Sequence, residues 1–167
     1  AHAVYRPRHR VGRGSGIWFE VDDPPAVRDF VEHFGRATGY SGQVGFDFIE
    51  GADGRWHVLE CNPRATSGVH LFDDQPQALV SALLGEAVAP PPTPAPRMVA
   101  LAMLLFGAPR AGARPDFWRD WARARDVVTR PGDRGPLWAQ LPGTAEIVAR
   151  ALRRRRGLLA AATADIE

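Results

Sequence analysis

The sequence predicts an α+β fold in which helices pack on one face of a largely antiparallel sheet. Two strand-like segments, residues 43–50 and 55–61, flank the dipeptide Asp53-Gly54, which strongly favours a tight hairpin turn. Ahead of them, apolar residues recur at positions 27, 30, 31 and 34, the spacing of one helical face. A chain of 167 residues is long enough to enclose a hydrophobic core.

The N-terminal segment carries alternating arginines over residues 6–13 and then several glycines, so we expect a flexible, positively charged loop there. Residues 17–21 are a short strand candidate. A helix should begin at Pro24-Pro25, because proline is tolerated in the first helical turn. Asp22 or Asp23 is the expected cap, and Gly39 the expected end.

The remaining segments are predicted from composition and spacing. We expect two regions, a domain of residues 1–88 and an extension of residues 89–167 that packs on it or completes it. The predicted elements after the hairpin are an irregular stretch (62–72), a helix closed by Gly85 (76–84), a proline-rich linker (87–96), an apolar strand (97–106), a helix (116–125), a strand (126–130) and a terminal helix (146–161).

Composition restricts the function classes. The net charge is only +2 and all 21 basic residues are arginine, so we do not expect a nucleic-acid partner, and no step can use a lysine of this chain. Cys61 is the only cysteine, which excludes an intrachain disulfide and suits a reducing cytoplasm. The longest apolar run, residues 98–108, is too short to span a bilayer, so no membrane partner is expected.

The hairpin brings polar side chains together. If Asp53-Gly54 are the central turn residues, Asp47 lies opposite Glu60, and directly opposed side chains share one face of the sheet. Asn62 lies two residues beyond Glu60 and projects to that same face. The predicted set of opposed pairs is Ala52–Arg55, Ile49–Val58 and Asp47–Glu60.

Paired carboxylates at such positions favour a bound cation. Like charges directly opposite each other destabilise a sheet unless a cation neutralises them or one carboxylate takes up a proton. The donors Asp47, Glu60 and Asn62 are all oxygens, which suits Mg²⁺ or Mn²⁺ and argues against zinc. The alternative is an exposed hairpin whose two acids face only water.

An anion-binding group follows the hairpin. Arg64 carries a planar guanidinium suited to phosphate or carboxylate oxygens, and Pro63 stiffens the turn before it. Ser67-Gly68 offer backbone N–H groups to an anion, since glycine permits close approach. The alternative for Arg64 is an ordinary solvated surface arginine.

The segment Gly45-Phe46-Asp47-Phe48-Ile49, a short turn, and Val58-Leu59-Glu60-Cys61-Asn62-Pro63-Arg64 resembles the metal-binding end of ATP-grasp enzymes. The resemblance implies that Asp47 is the first metal ligand, that Glu60 bridges two Mg²⁺ ions and that Asn62 binds the second. It also implies that Arg64 contacts the transferred phosphoryl group and that Arg10 and Arg13 meet phosphate.

What the resemblance implies is a carboxylate-amine ligase. ATP would phosphorylate a small carboxylate substrate, and an amine or another nucleophile would displace the phosphate. The resemblance covers residues 11–84 and makes the chain the C-terminal ATP-grasp subdomain. It departs from the family at Cys61, where an apolar residue is usual, and in lacking the earlier half with its phosphate-binding lysines.

We therefore expect a truncated fragment that is inactive alone and whose partner is the missing N-terminal lobe of the same protein. Its uncovered apolar surface favours self-association. Two other functions stay open: a non-catalytic module derived from the ATP-grasp fold, and a nucleic-acid-binding module using the four arginines at 153–156, which otherwise form a solvated helix face.

Overall fold

The computed structural model describes residues 2–12, 15–87, 92, 95–155 and 157–162. Its internal contacts divide the chain into two compact units. Unit 1 contains Ala1–Pro7 and Phe19–Arg97, and unit 2 contains Arg8–Trp18 and Met98–Glu167. The predicted boundary at residues 88–89 stays a prediction.

Helices and antiparallel strands make up the chain, so the predicted α+β fold class is confirmed. One sheet has the strand order β1-β2-β5-β6 and the other consists of the antiparallel pair β3-β4. The strands are β1 (Tyr5–Val11), β2 (Ser15–Val21), β3 (Gly45–Glu50), β4 (Trp56–Asn62), β5 (Arg97–Met98) and β6 (Arg125–Asp126).

The long helix of unit 1, α1, spans Pro25–Thr38. Gly39 ends it as predicted, in the left-handed conformation with φ of 60°. The predicted Asp22 or Asp23 cap is wrong, because Pro24 occupies the capping position and no side chain caps the helix. Asp22 instead accepts a hydrogen bond from Arg6 Nε at 2.5 Å.

The second half of unit 1 is helical, within the stretch predicted to be irregular (62–72) and again at the predicted helix (76–84). A 3₁₀ helix spans Ser67–Phe72, and α2 spans Pro76–Leu83. The buried Arg97 bonds to the 3₁₀ helix and to the turn that follows it. It is 2% exposed. Its Nε donates to the His70 carbonyl at 3.0 Å, and its Nη2 donates to Asp74 at 2.9 Å. A fully buried guanidinium requires such partners.

Unit 2 departs from the predicted elements at its start. The expected arginine-rich loop is strand β1, in which exposed and less exposed residues alternate up to the buried Val11. The expected strand at residues 97–106 is wrong beyond Met98. There α3 (Ala100–Ala102), a π-helical segment (Met103–Gly107) and α4 (Ala108–Ala111) follow one another.

The helix after β5 begins where the side chain of Asp126 accepts a hydrogen bond from the first N–H group of the helix. Asp126 Oδ1 accepts from the Ala100 N–H at 3.0 Å, and Asp126 Oδ2 accepts from the N–H and hydroxyl of Thr129 at 3.0 and 2.6 Å. Asp126 therefore acts as a remote cap, and the strand predicted at 126–130 is reduced to β6.

Of the two helices predicted near the C-terminus, the first is nearly as expected and the second begins earlier than predicted. α5 spans Pro115–Arg123, close to the expected 116–125. α6 spans Gly135–Arg154 and continues through Pro142, and α7 spans Leu158–Ala162. The core of unit 2 consists of Val11, Ile17, Trp18, Met98, Met103 and Phe117. Within the described part of the chain, none of the helices combines the length and apolarity that crossing a bilayer requires.

Candidate functional site

The orientation of the β3-β4 hairpin is set by aromatic packing on α1. Phe30 lies 5.3 Å from Phe46 and 5.4 Å from Phe48 between ring centroids, and Phe34 lies 4.9 Å from Phe46. Edge-to-face contacts of this kind stabilise beyond the area they bury. Because successive strand residues point to opposite faces, Asp47 lies on the face away from α1.

The register places the predicted donors on paired positions. Asp47 pairs with Glu60, and Gly45 pairs with Asn62, so the predicted Asp47–Glu60 opposition is confirmed. Asp47 and Glu60 are both exposed, and Asn62 is half-buried. The two carboxylates and the amide therefore lie at adjacent positions of one open surface, where oxygen donors suit a hard cation.

The predicted pairing nearer the turn is wrong. Ile49 pairs with His57 rather than with Val58. The Gly51 N–H donates to the Arg55 carbonyl at 2.7 Å, so the loop has three residues, 52–54, and Ala52 does not pair with Arg55.

A β-bulge restores the Asp47–Glu60 pair. If the register of the pairs nearer the turn continued, Asp47 would lie opposite Leu59. The pairing instead shifts between Asp47 and Phe48, so that Leu59 is the additional residue on β4. Bulges re-aim side chains and are over-represented next to functional sites. The register of the two acids is therefore built by the bulge and not by the turn.

Arg64 lies beside the predicted amide ligand. Its Nη2 donates to Asn62 Oδ1 at 3.4 Å, and its Nη1 donates to the Ala65 carbonyl at 3.2 Å. The first hydrogen bond is long, so its strength is low. Among the described residues, no three His, Cys, Asp or Glu side chains form a metal cluster, which leaves the amide oxygen of Asn62 as the third donor of the predicted set.

Tyr5 joins the two predicted parts of the site, and sequence reasoning missed it. Burial raises the pKa of the Tyr5 hydroxyl, hydrogen bonds with Thr66 and Ser67 lower it, and the charge of Asp47 raises it further. The phenol therefore lies within electrostatic reach of Asp47 and bonds to the turn that carries Ser67. The alternation within β1, read as a strand, was the signal that could have placed Tyr5 on a sheet.

Two glycines allow this close packing. A Cβ at Gly68, which is buried, would lie 3.2 Å from Tyr5 Cε1. A Cβ at Gly45 would collide with Thr66 Cγ2. The start of β3 and the segment before the Ser67 helix are thus in direct contact.

Gly45→Ala should lower the free energy of unfolding by about 1–3 kcal/mol, the usual cost of overpacking, because Thr66 must move. Gly35→Ala, inside α1 with nothing within 4 Å of the added methyl, is the matched control and should stabilise by about 0.5–1 kcal/mol. Urea denaturation measures both. Equal stability changes in the two variants would contradict the close approach of Gly45 to Thr66.

The structure describes one of the two arginines predicted to meet phosphate. Arg10 is an exposed residue of β1 and belongs to unit 2, whereas Asp47 and Glu60 belong to unit 1. Arg13 lies outside the described residues.

Comparisons with known proteins give short matches. No family model and no solved structure matches the chain. A Frankia alni protein named "Putative glutamate--cysteine ligase 2-3" is 36% identical over 95 residues, which are 54% of this chain and 10% of that protein. A Frankia casuarinae protein named "Putative glutamate--cysteine ligase 2-2" is 34% identical over 119 residues, 67% of this chain and 13% of that protein.

The similarity therefore spans about a tenth of the length of each relative. The names describe proteins many times longer than the matched segments. What the comparisons establish is that this chain is similar to a part of two proteins that carry the name of a ligase.

Proposed function

We propose that this chain is the metal-binding part of an ATP-dependent ligase of the ATP-grasp type, which activates a carboxylate as an acyl phosphate for attack by an amine or another nucleophile. The observation that carries the proposal is the bulge-maintained pairing of Asp47 with Glu60. Two acids on directly opposed positions destabilise a sheet, and a bound cation would neutralise their repulsion. The similarity to proteins named as ligases supports the same class.

In this proposal Asp47, Glu60 and Asn62 hold Mg²⁺, with Mn²⁺ as a substitute. All three side chains end in oxygen, and the open face leaves room for water and phosphate oxygens, which Mg²⁺ retains in its shell. The metal would neutralise the phosphate charges and align them with the carboxylate that attacks. The chain's own contribution is to hold the oxygens in one register before the nucleotide arrives.

Arg64 would stabilise the negative charge that develops on the transferred phosphoryl group. Its hydrogen bond to Asn62 Oδ1 is 3.4 Å long and therefore weak, so exchanging it for a bond to a negatively charged phosphate oxygen would cost little. Ser67 and Gly68 begin the 3₁₀ helix, where their backbone N–H groups would serve as further donors. Tyr5 would position this turn through its hydroxyl.

The proposed enzyme needs groups that this chain does not contain. No residue is a lysine, so another lobe of the same protein would supply the lysines that hold the nucleotide, with Arg10 and Arg13 assisting at the phosphates. This chain alone would then not turn over ATP. The proposed location is the cytoplasm, which a single free cysteine suits.

Hydroxylamine trapping of acyl phosphates tests the proposal on the protein that carries this chain with its other domains. Incubation with Mg²⁺, ATP, hydroxylamine and a panel of amino-acid carboxylates should give ADP and a hydroxamate in equal amounts for at least one carboxylate. Formation of ADP and hydroxamate must both require Mg²⁺. Nucleotide binding without ADP formation on any carboxylate would favour the non-catalytic alternative instead.

A further inference from the structure

Unit 2 contains a cavity of about 390 Å³, and none of the residues that line it belongs to the β3-β4 hairpin with Asp47 and Glu60, called the acidic hairpin. Every residue that lines it belongs to unit 2. Its volume is within the range of small-molecule sites, about 300–1,000 Å³. The rim carries four arginines, at positions 8, 10, 110 and 114.

One of the four rim arginines is neutralised by the protein itself. Asp120 has a side chain only 3% exposed, and its Oδ2 lies 2.9 Å from Arg8 Nε and 2.9 Å from His9 Nε2. Its Oδ1 lies 3.2 Å from Arg123 Nε. The buried carboxylate is thus fully partnered, as a buried charge must be, and it is not available to the other arginines.

The other three rim arginines have no acidic partner among the described residues. Arg110 donates to the carbonyl of Phe106 at 2.6 Å, which leaves its charge uncompensated. Asp116, the remaining acid of the lining, is paired with Arg119 at 2.9 Å. Arg10 and Arg114 are exposed and have no ion pair in the described part of the chain. Three like charges around one cavity repel one another and favour an anion between them.

The floor of the cavity is apolar. Phe117 is 3% exposed and Ile17 is 5% exposed, and the His9 ring stacks edge-on against Phe117 with centroids 5.3 Å apart. Gly107, in the π-helical segment, allows close packing, since a Cβ there would lie 2.8 Å from Phe117 Cε2. π-helical turns of this kind recur at functional sites. A charged rim over an apolar floor suits a ligand with both characters.

We propose that this pocket binds a small organic anion. Its phosphate or carboxylate head lies among Arg10, Arg110 and Arg114, whose planar forks match both kinds of oxyanion. Its apolar body lies on Phe117 and Ile17. The proposal goes beyond the proposed ligase function: it shares only Arg10 with that function and depends on no residue of the acidic hairpin.

Calorimetric titration of the 167-residue chain tests this, at low ionic strength and without divalent metal. The probes are phenyl phosphate, benzoate, inorganic phosphate and neutral benzyl alcohol. We expect saturable binding of phenyl phosphate or benzoate, with the tighter of the two identifying the head group. Inorganic phosphate should bind at least about tenfold more weakly because it has no apolar body, and benzyl alcohol should not bind.

Arg114→Gln should weaken binding of the tighter probe about tenfold or more, the effect of losing one charge-assisted hydrogen bond. Arg153→Gln is the matched control: it removes the same charge from unit 2, but Arg153 is exposed on α6 and donates to the Ala149 carbonyl at 3.3 Å. The affinity of Arg153→Gln for the same probe should stay within about twofold of the parent's affinity.

Two results would overturn the proposal. One is the absence of saturable binding of either aromatic anion up to about 10 mM, where even weak sites are filled. The other is an equal loss of affinity in Arg114→Gln and Arg153→Gln, which would show general attraction to a basic surface. Asp47→Asn should leave the titration unchanged, so failure of the pocket and failure of the metal site are separate outcomes.

Discussion

Glu60→Gln, made in the longer ligase that we propose contains this chain, should reduce Mg²⁺–ATP-dependent ADP formation by a factor of about 10³ or more. The amide keeps the shape of the side chain but removes the charge opposite Asp47, and metal catalysis contributes several kcal/mol, at tenfold per about 1.4 kcal/mol. Steady-state ADP release measures it. Asp53→Asn, an acid on the turn of the same hairpin whose side chain is 57% exposed, should leave turnover unchanged.

The same substitution should not destabilise the fold. Asp47 and Glu60 are like charges on directly opposed positions, and removing one relieves repulsion of about 0.2–1 kcal/mol. Without metal, Glu60→Gln should therefore be as stable as the parent or slightly more stable in urea denaturation. An unchanged turnover, or a loss of turnover that follows a loss of stability, would contradict the assigned role of Glu60.

Trp18→Ala should lower the free energy of unfolding by about 3–5 kcal/mol, the usual range for large core aromatics. Trp18 is 0% exposed and belongs to the core of unit 2. Its indole N–H donates to the Asp120 carbonyl at 2.9 Å, and the guanidinium carbon of Arg123 lies 4.6 Å from its ring centroid. Trp18→Phe should have an intermediate effect, because it keeps most of the ring and loses the hydrogen bond.

Trp138→Ala is the control for this experiment, since Trp138 is 62% exposed on α6 and should change stability by less than about 0.5 kcal/mol. Urea unfolding followed by circular dichroism measures all three variants. If Trp18→Ala costs no more than Trp138→Ala, the packing described for the core of unit 2 is wrong.

The acidic hairpin was predictable because its signals are local. Strand-like segments on both sides of Asp53-Gly54 specify a hairpin, and helical spacing at α1 supplies the aromatic face that covers it. The details were not predictable. The loop is one residue longer than an Asp-Gly turn suggests, and the extra residue Leu59 on β4 compensates for it. The predicted Asp47–Glu60 pair was therefore correct although its assumed turn was wrong.

The errors in unit 2 have a different physical origin. A continuous apolar run such as residues 97–106 does not distinguish a buried strand from a buried helix. A helix begins here because Asp126, which lies 26 residues further along the chain, accepts a hydrogen bond from the Ala100 N–H group. The terminal helix was predicted to begin at residue 146, after Pro142, whereas α6 starts at Gly135 and passes through that proline. Tertiary contacts override local propensity in such cases.

The arginine-rich pocket could not be found from spacing at all. Its uncompensated arginines lie at position 10 and at positions 110 and 114, about a hundred residues apart in the chain. Alternation of arginines over residues 6–10 was typical of a strand with one polar face, but the high charge suggested a loop. Only the fold brings Arg10 to the same cavity as the segment after the π-helical turn.

Paramagnetic line broadening by Mn²⁺ tests the central claim, that Asp47 and Glu60 form a metal site, most directly. In proton–nitrogen NMR spectra of the 167-residue chain, substoichiometric Mn²⁺ should broaden the amides around residues 47, 60 and 62 first. Asp47→Asn should remove this selective broadening, and Asp53→Asn should preserve it. Broadening that centres on Asp53 or Glu50, or that persists unchanged in Asp47→Asn, would show that the paired acids do not bind the metal.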